Sequence, residues 1–178
     1  RKAEEGLRVC YLCFNQLIGK WHNRQLDNCT YPNLVSGTIH SVLIQLMDIN
    51  VPDSVNASWW DNDLPYIVEE KVTSSDFANI TTFDYLVIDE AQDILARPVL
   101  WNCLKLFLGN GFECGKFLIL GDFINQSLTR DQDTVDTSLH QISSISARWL
   151  LFENCRNYRP IGEVALKFSA SDKDTWSG

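Results

Sequence analysis

The sequence lacks the features that mark membrane and secreted proteins. No apolar run approaches the roughly 20 residues that a transmembrane helix needs, and no charged and then apolar leader opens the chain. Methionine is also scarce, since Met47 is the only one among 178 residues, and the chain begins with Arg1. We therefore expect an internal piece of a longer cytoplasmic protein that makes no contact with a membrane.

Basic residues are few. The chain has 15 Lys and Arg against 23 Asp and Glu, for a net charge of −8. This balance excludes the overall basic surface with which non-specific duplex binders neutralise phosphates. Residues 1–41 are the exception, because basic side chains outnumber acidic ones there. Any contact with nucleic acid is therefore expected to be local.

Paired metal-ligand motifs are missing as well. Of the six cysteines, only Cys10 and Cys13 have CxxC spacing, and neither a second pair nor an HxxxH motif accompanies them. Because a structural zinc ion needs four ligands, we expect these thiols to be free. Free thiols fit a reducing compartment.

What the sequence does contain is an alternation of short apolar runs with segments of helical spacing. Each run is too short for a helix and almost continuously apolar, as in strands that are covered on both faces. The predicted strands are 7–14, 84–89, 116–122 and 148–153, and the predicted helices lie in 15–26, 42–47 and 99–108. This order predicts an α/β fold with a mainly parallel sheet flanked by helices.

Two segments do not follow this alternation. Residues 50–82 are rich in acidic side chains and contain two prolines, which predicts an irregular acidic surface excursion with one helix. Residues 169–178 have the small and polar composition of a frayed tail.

The strongest chemical signal is the motif DEAQD at 89–93, which directly follows an apolar strand. Ligands bind beyond the carboxyl ends of parallel strands, so this strand would bring Asp89 and Glu90 to such a crevice. In phosphoryl transfer, Asp89 would hold a magnesium ion, and Glu90 would orient and deprotonate the attacking water. The alternative is an acidic turn that only caps the next helix. The combination of polar residues in DEAQD, with Gln92 among them, favours the functional interpretation.

DEAQD resembles the Walker B box of UvrD/Rep-like superfamily 1 helicases, and the resemblance implies a catalytic role for Gln92 beside Glu90. The segment KFLILGDFINQ at 116–126 is similar to the third motif of that family. This similarity implies that Asp122 and Gln126 sense the γ-phosphate of ATP. A helix-capping role for Asp122 is the alternative.

The segment LFENCRNYRPI at 151–161 is similar to the fourth motif of the family. Alignment of its Leu, Asn and Ile positions places Arg156 at the arginine of the motif, whereas the string NYR selects Arg159. We favour Arg156, which the resemblance implies is an arginine finger that reaches the γ-phosphate from a second motor domain. Surface ion pairing is the alternative for this side chain.

Two upstream segments resemble motifs with which this family contacts single strands, namely CFNQ at 13–16 and GTIHS at 37–41. The residues assigned to nucleic acid in this way are Phe14, Asn15, Thr38, His40 and Ser41. An aromatic ring can stack on a base, while polar side chains and a helix start can donate hydrogen bonds to phosphates. The alternatives are a core position for Phe14 and a structural role for His40.

The phosphate-binding motif GxxxxGK[ST] does not occur in the chain. The resemblance therefore implies a RecA-like domain of the P-loop NTPase type that lacks its phosphate-loop strand, over residues 1–147, and the start of a second motor domain over residues 148–168. The parent would be a helicase or translocase that hydrolyses ATP with Mg²⁺ and moves along single-stranded DNA, with RNA as the alternative. The chain alone is expected to be inactive. The second hypothesis is a non-hydrolysing regulatory or interaction domain derived from the same core.

The missing strand has a structural consequence. In the family, the phosphate-loop strand lies beside the strand that corresponds to residues 116–122, so that strand is expected to have a bare edge here. Residues 148–153 would then pair with this edge, or the chain would self-associate through it.

Overall fold

The computed structural model of the chain describes residues 1–26, 31–74, 82–123 and 132–150. The chain divides into two units, Arg1–Ile145 and Ser146–Gly178. The fold described below is that of the first unit. Of the second unit, only residues 146–150 are described.

The described strands form one parallel sheet. They are β1 (Val9–Cys13), β2 (Leu34–Thr38), β3 (Tyr85–Asp89) and β4 (Lys116–Ile119). Their order in the sheet is β2-β1-β3-β4, and every neighbouring pair is parallel. The predicted α/β fold with a mainly parallel sheet is therefore confirmed. Three of its predicted strands are present with slightly shorter bounds.

Strand β2 is the one that the apolar pattern does not predict. Leu34 and Val35 are its only large apolar residues. Its last two residues belong to the GTIHS motif at 37–41, which resembles the start of a helix. The strand forms because it pairs with β1 along its whole length, from Val9 beside Leu34 to Cys13 beside Thr38. Pairing with a central strand has thus overridden a weak local preference.

The helices of the described residues lie between and after the strands. They are α1 (Gln16–Leu26), α2 (Ile39–Met47), α3 (Leu64–Thr73), α4 (Gln92–Leu95), α5 (Pro98–Lys105), α6 (Gly111–Cys114) and α7 (Gln132–Ser143). A π-helical turn, Trp59–Asp63, leads directly into α3. Among these described helices, none is long and apolar enough to cross a lipid bilayer.

Residues 50–74 contribute more to the core than the predicted acidic excursion would. Trp59, Leu64 and Val68 are buried and belong to the same apolar cluster as the residues of β1 and β3. The prediction of a surface excursion was wrong for these positions, because Leu64 and Val68 share one helix face that the surrounding acidic residues obscure in the sequence. Residues 75–81 lie outside the described residues.

The predicted strand at 148–153 is wrong for its first half. Residues 148–150 form neither helix nor strand, and Trp149 and Leu150 are 88% and 52% exposed. The remaining positions, 151–153, the rest of the predicted second motor domain and the predicted tail at 169–178 lie outside the described residues.

Candidate active site

Parallel pairing aligns the carboxyl ends of three strands at one edge of the sheet. Cys13, the last residue of β1, is paired with Thr38 of β2 on one side and with Asp89 of β3 on the other. The segments that follow these strands therefore start next to one another. They carry most of the site residues that the sequence predicts.

Asp89 is held at this edge by contacts to both of its carboxylate oxygens. The Tyr11 hydroxyl donates to Oδ2 at 2.9 Å, and the Glu90 backbone N–H donates to Oδ1 at 3.1 Å. Nε2 of His22 lies 3.4 Å from the same Oδ2. With 27% of its side chain exposed, Asp89 remains accessible to a ligand from solvent.

Tyr11 and His22 are site residues that the sequence reasoning missed. Burial raises the pKa of Tyr11, and its hydrogen bond to Asp89 raises it further, so the hydroxyl stays protonated. Because its single proton goes to Asp89, Nε2 of His22 must be the donor in its 2.9 Å contact with the Tyr11 oxygen. The sequence did contain a signal for Tyr11. It is a polar ring in an otherwise apolar strand, and it lies two residues before the strand end, on the same side of the sheet as Cys13.

Glu90 has an unusual backbone. Its φ angle is 52°, in the left-handed region that is costly for residues other than glycine. Its carboxylate Oε2 accepts a 2.7 Å hydrogen bond from Nε2 of Gln92. Strained backbone of this kind is characteristic of functional sites, where the surrounding structure fixes it.

Gln92 connects the ends of β3 and β4. Only 5% of this residue is exposed, and while its amide nitrogen binds Glu90, its Oε1 accepts a 3.2 Å hydrogen bond from the Asp122 backbone N–H. Gly121 permits this approach, because a Cβ atom there would lie 2.6 Å from Oε1 of Gln92. The structure thus brings together four of the predicted residues, namely Asp89, Glu90, Gln92 and Asp122.

The site has too few ligands to enclose a metal ion by itself. Among the residues that the structure describes, no group of three or more His, Cys, Asp or Glu side chains could hold one. One or two carboxylates are, however, what a magnesium ion needs when nucleotide phosphates and waters supply its other ligands. Asp89 fits this shared type of site and not an all-protein cage.

Phe14 and His40 also lie together, but neither ring is bare. The guanidinium carbon of Arg97 lies 4.0 Å from the centre of the Phe14 ring, and the Phe14 and His40 rings form a T-shaped contact with 5.6 Å between ring centres. Arg97 is in turn paired with Asp61 at 2.9 Å and donates to the Asp93 carbonyl. One face of Phe14 is thus covered by a cation. A base could stack on that face only after Arg97 moves.

His40 is largely enclosed. Its Nε2 is buried and has no hydrogen-bond partner within the described part of the chain, and its ring packs against Trp60 with 5.4 Å between ring centres. Burial lowers the pKa of His40, the Asp61 charge opposes this shift, and Arg97 adds to it. These contacts match the structural alternative for His40 as well as they match a ligand role.

Asn15, Thr38 and Ser41 act as caps of helix starts at the same edge. Oδ1 of Asn15 accepts from the Leu17 backbone N–H at 2.8 Å, at the start of α1. At the start of α2, Oγ1 of Thr38 accepts from the Ser41 N–H at 3.4 Å, and the Ser41 hydroxyl donates to the Thr38 carbonyl at 2.8 Å. Two helix N-termini therefore point to one edge, where their dipoles favour anions.

The thiol of Cys13 lies at the same edge of the sheet. Burial, followed by the charges of Asp89 and Glu90, raises the pKa of Cys13 to about 11, so its thiol is unreactive at neutral pH. The predicted residues Gln126 and Arg156 lie outside the described residues.

Comparison with known proteins adds no relative. No protein-family model matches the chain, and neither the curated proteins nor the solved structures give a match.

Proposed function

We propose that the chain is part of the motor core of an ATP-driven helicase or translocase of the UvrD/Rep-like type. One observation carries the proposal, which is that the Asp89, Glu90 and Gln92 side chains and the start of the Asp122 segment converge beyond the ends of two adjacent parallel strands. This is where ligands bind in open α/β sheets. Among the described strands, β4 lies at the edge of the sheet, where the phosphate-loop strand of the family would lie.

Each residue has a defined task in this proposal. Asp89 would hold Mg²⁺ together with the phosphates of ATP, and the bound ion would neutralise charge on the phosphates. Glu90 would accept a proton from the attacking water. Gln92 holds the Glu90 carboxylate in one orientation through its 2.7 Å hydrogen bond. Asp122 is joined to the same network through its backbone.

The proposal extends to residues beyond this network. Gln126 would sense the γ-phosphate, and Arg156 would act as the arginine finger. Single-stranded DNA, or RNA as the alternative, would pass the edge formed by the ends of β1 and β2. A cytoplasmic location is part of the proposal and fits the free thiols of the described cysteines, which are Cys10, Cys13, Cys103 and Cys114.

The decisive experiment replaces Glu90 by Gln in the full-length parent. We expect ATP binding to persist and turnover to fall by about 10²–10⁴, the usual effect of losing a general base. Glu113→Gln is the matched control, because Glu113 is exposed in α6, outside this network. Full activity of the Glu90→Gln protein would show that another group activates the water. The purified chain 1–178 should not hydrolyse ATP.

One observation favours the second candidate, a non-hydrolysing domain derived from the same core. The Tyr11 hydroxyl donates to Oδ2 of Asp89, and His22 lies close to the same oxygen. This carboxylate therefore has a structural role of its own, apart from any ligand. Under this alternative, Asp89→Asn would lower the melting temperature of the chain and leave the nucleotide affinity of the parent unchanged. Under the helicase proposal, the same substitution would weaken Mg²⁺-dependent nucleotide binding.

A further inference from the structure

We propose that the exposed face of α1 binds single-stranded nucleic acid. This face, called the α1 face below, consists of Leu17, Lys20, Trp21 and Arg24. In an α-helix, residues spaced by three, four and seven positions lie on one side, so these four side chains form a continuous stripe. The inference deepens the proposed function and rests on it for the identity of the ligand.

The α1 face has no covering element among the described residues. Leu17 and Trp21 are 77% and 57% exposed, and Lys20 and Arg24 are exposed as well. The helix packs through its other side, where Gly19 is buried so close to β2 that a Cβ atom would lie 2.6 Å from Cγ2 of Thr38. An exposed Trp beside an exposed Leu is unusual for a surface without a partner.

The charge of the α1 face indicates the kind of partner. α1 carries Lys20 and Arg24 and no acidic residue, although the whole chain has a net charge of −8. Two cations beside an aromatic ring are complementary to a phosphate backbone that carries bases. Trp and Arg are also enriched in protein interfaces, whereas Lys is depleted there, so Lys20 is the residue of this face that favours a phosphate backbone over a protein partner.

The exposed indole distinguishes a single strand from a duplex. Stacking requires an open base face, which an unpaired base offers and a paired base inside a helix does not. Trp21 could therefore contribute to the binding of a single strand and not of a duplex. Lys20 and Arg24 alone would attract both.

The α1 face adjoins the candidate active site. α1 begins directly after β1, and its cap is Asn15, which the motif resemblance assigns to nucleic acid. The Trp21 ring contacts the His22 ring edge-on, with 4.9 Å between ring centres, and His22 lies next to Tyr11 and Asp89. A nucleic-acid strand on the α1 face would thus lie on the helix that also carries His22, the neighbour of Asp89.

The test measures binding of a fluorescently labelled oligothymidylate to the chain 1–178 by anisotropy, without nucleotide. Trp21→Ala should weaken binding by at least about fivefold, the lower limit for loss of one stacked base. Lys20→Glu and Arg24→Glu should also weaken it and should reduce its salt dependence. The matched controls are Tyr66→Ala, which removes a 59% exposed aromatic ring from α3, and Lys116→Glu, which reverses an exposed charge on β4.

Several results would overturn the inference. They are the absence of binding by the unsubstituted chain, unchanged affinity of the Trp21→Ala chain, and equal effects of the control substitutions. Trp21→Phe keeps a stacking ring and should retain most of the affinity, which separates stacking from loss of fold. A duplex of the same length should bind more weakly, and its binding should not depend on Trp21. Because no nucleotide is present, failure of the Glu90→Gln prediction would leave this result intact.

Discussion

At the scale of single residues, the backbone of Glu90 gives the sharpest prediction. Its φ angle of 52° suits glycine, whereas a residue with a Cβ atom is destabilised in this conformation. Glu90→Gly and Glu90→Ala both remove the carboxylate and its bond to Gln92. We therefore expect the glycine variant to be more stable than the alanine variant by about 1 kcal/mol in urea unfolding.

The matched pair for this comparison lies in α6. Glu113 occupies an ordinary helical position, so Glu113→Gly should be less stable than Glu113→Ala by about 0.5–1 kcal/mol. Opposite signs at the two positions would locate the strain at Glu90. The same sign at both would show that Glu90 is not strained in solution.

The buried ring of His40 predicts a dependence of stability on pH. Burial lowers the pKa of His40 from its usual value of 6.5, so below that pH the unfolded chain binds a proton that the folded chain does not. The free energy of unfolding should therefore fall as the pH decreases from 7 to 5, by at most about 1.4 kcal/mol per pH unit for this one group. The measurement is urea unfolding at a series of pH values.

The control for this prediction is His40→Asn, which keeps a polar side chain but does not titrate. Its stability should change less between pH 7 and pH 5 than that of the unsubstituted chain. Asp61 and Arg97, the charged groups that act on His40, are unaltered in both proteins. Parallel pH profiles would mean that His40 is not the titrating group.

At the scale of secondary-structure elements, Gly121 determines how closely the segment after β4 approaches Gln92. A Cβ atom there would lie 2.6 Å from Oε1 of Gln92, so Gly121→Ala must displace this side chain. The displacement would break the hydrogen bonds to Asp122 and Glu90. We expect a loss of about 1–3 kcal/mol in the free energy of unfolding, because Gln92 is almost fully buried.

A double-mutant cycle checks this mechanism. When Gln92 is replaced by Ala, the clash is absent, so Gly121→Ala should cost clearly less than in the unsubstituted chain. Under the proposed function, Gly121→Ala should lower kcat of the full-length parent more than it weakens nucleotide binding, since it would act through Glu90. Equal costs in both backgrounds would mean that the neighbouring Phe123, and not Gln92, is the obstacle.

The elements differ in how far sequence predicts them. Strands β1, β3 and β4 are continuous apolar runs, so their existence and parallel arrangement follow from composition and from the helices between them. Strand β2 is held by pairing with β1 and has no comparable local signal. The burial of Leu64 and Val68 was also missed, because the buried face of α3 is narrow and acidic residues surround it in the sequence.

The candidate site shows the same division. Asp89, Glu90 and Gln92 lie within four consecutive residues at the carboxyl end of one strand, so sequence predicts their proximity. The Arg97 guanidinium over Phe14 joins positions 83 residues apart and has no counterpart in any local motif. Tyr11 and His22 were missed because their role depends on how α1 packs against the sheet. Contacts between elements are the part that spacing along the chain does not encode.

At the scale of the whole molecule, the open side of β4 is the feature with the largest consequence. Within the described residues β4 pairs with β3 alone, so the backbone groups on its other side have no strand partner there. Leu118 and Leu120 beside this edge are 43% and 41% exposed. An edge strand with exposed apolar side chains is a template for pairing with another chain. Pairing between copies through this edge is therefore the outcome that we expect.

Sedimentation of the chain 1–178 at increasing concentration tests this expectation. The unsubstituted chain should form larger species as concentration rises, and Leu118→Lys should shift it towards the monomer, because a charge on an edge strand opposes strand pairing. Tyr66→Lys is the control, since it places the same charge at an exposed apolar position on α3. Under the proposed function, addition of a phosphate-loop strand should suppress association as effectively as Leu118→Lys. An unsubstituted chain that stays monomeric at every concentration would contradict the prediction.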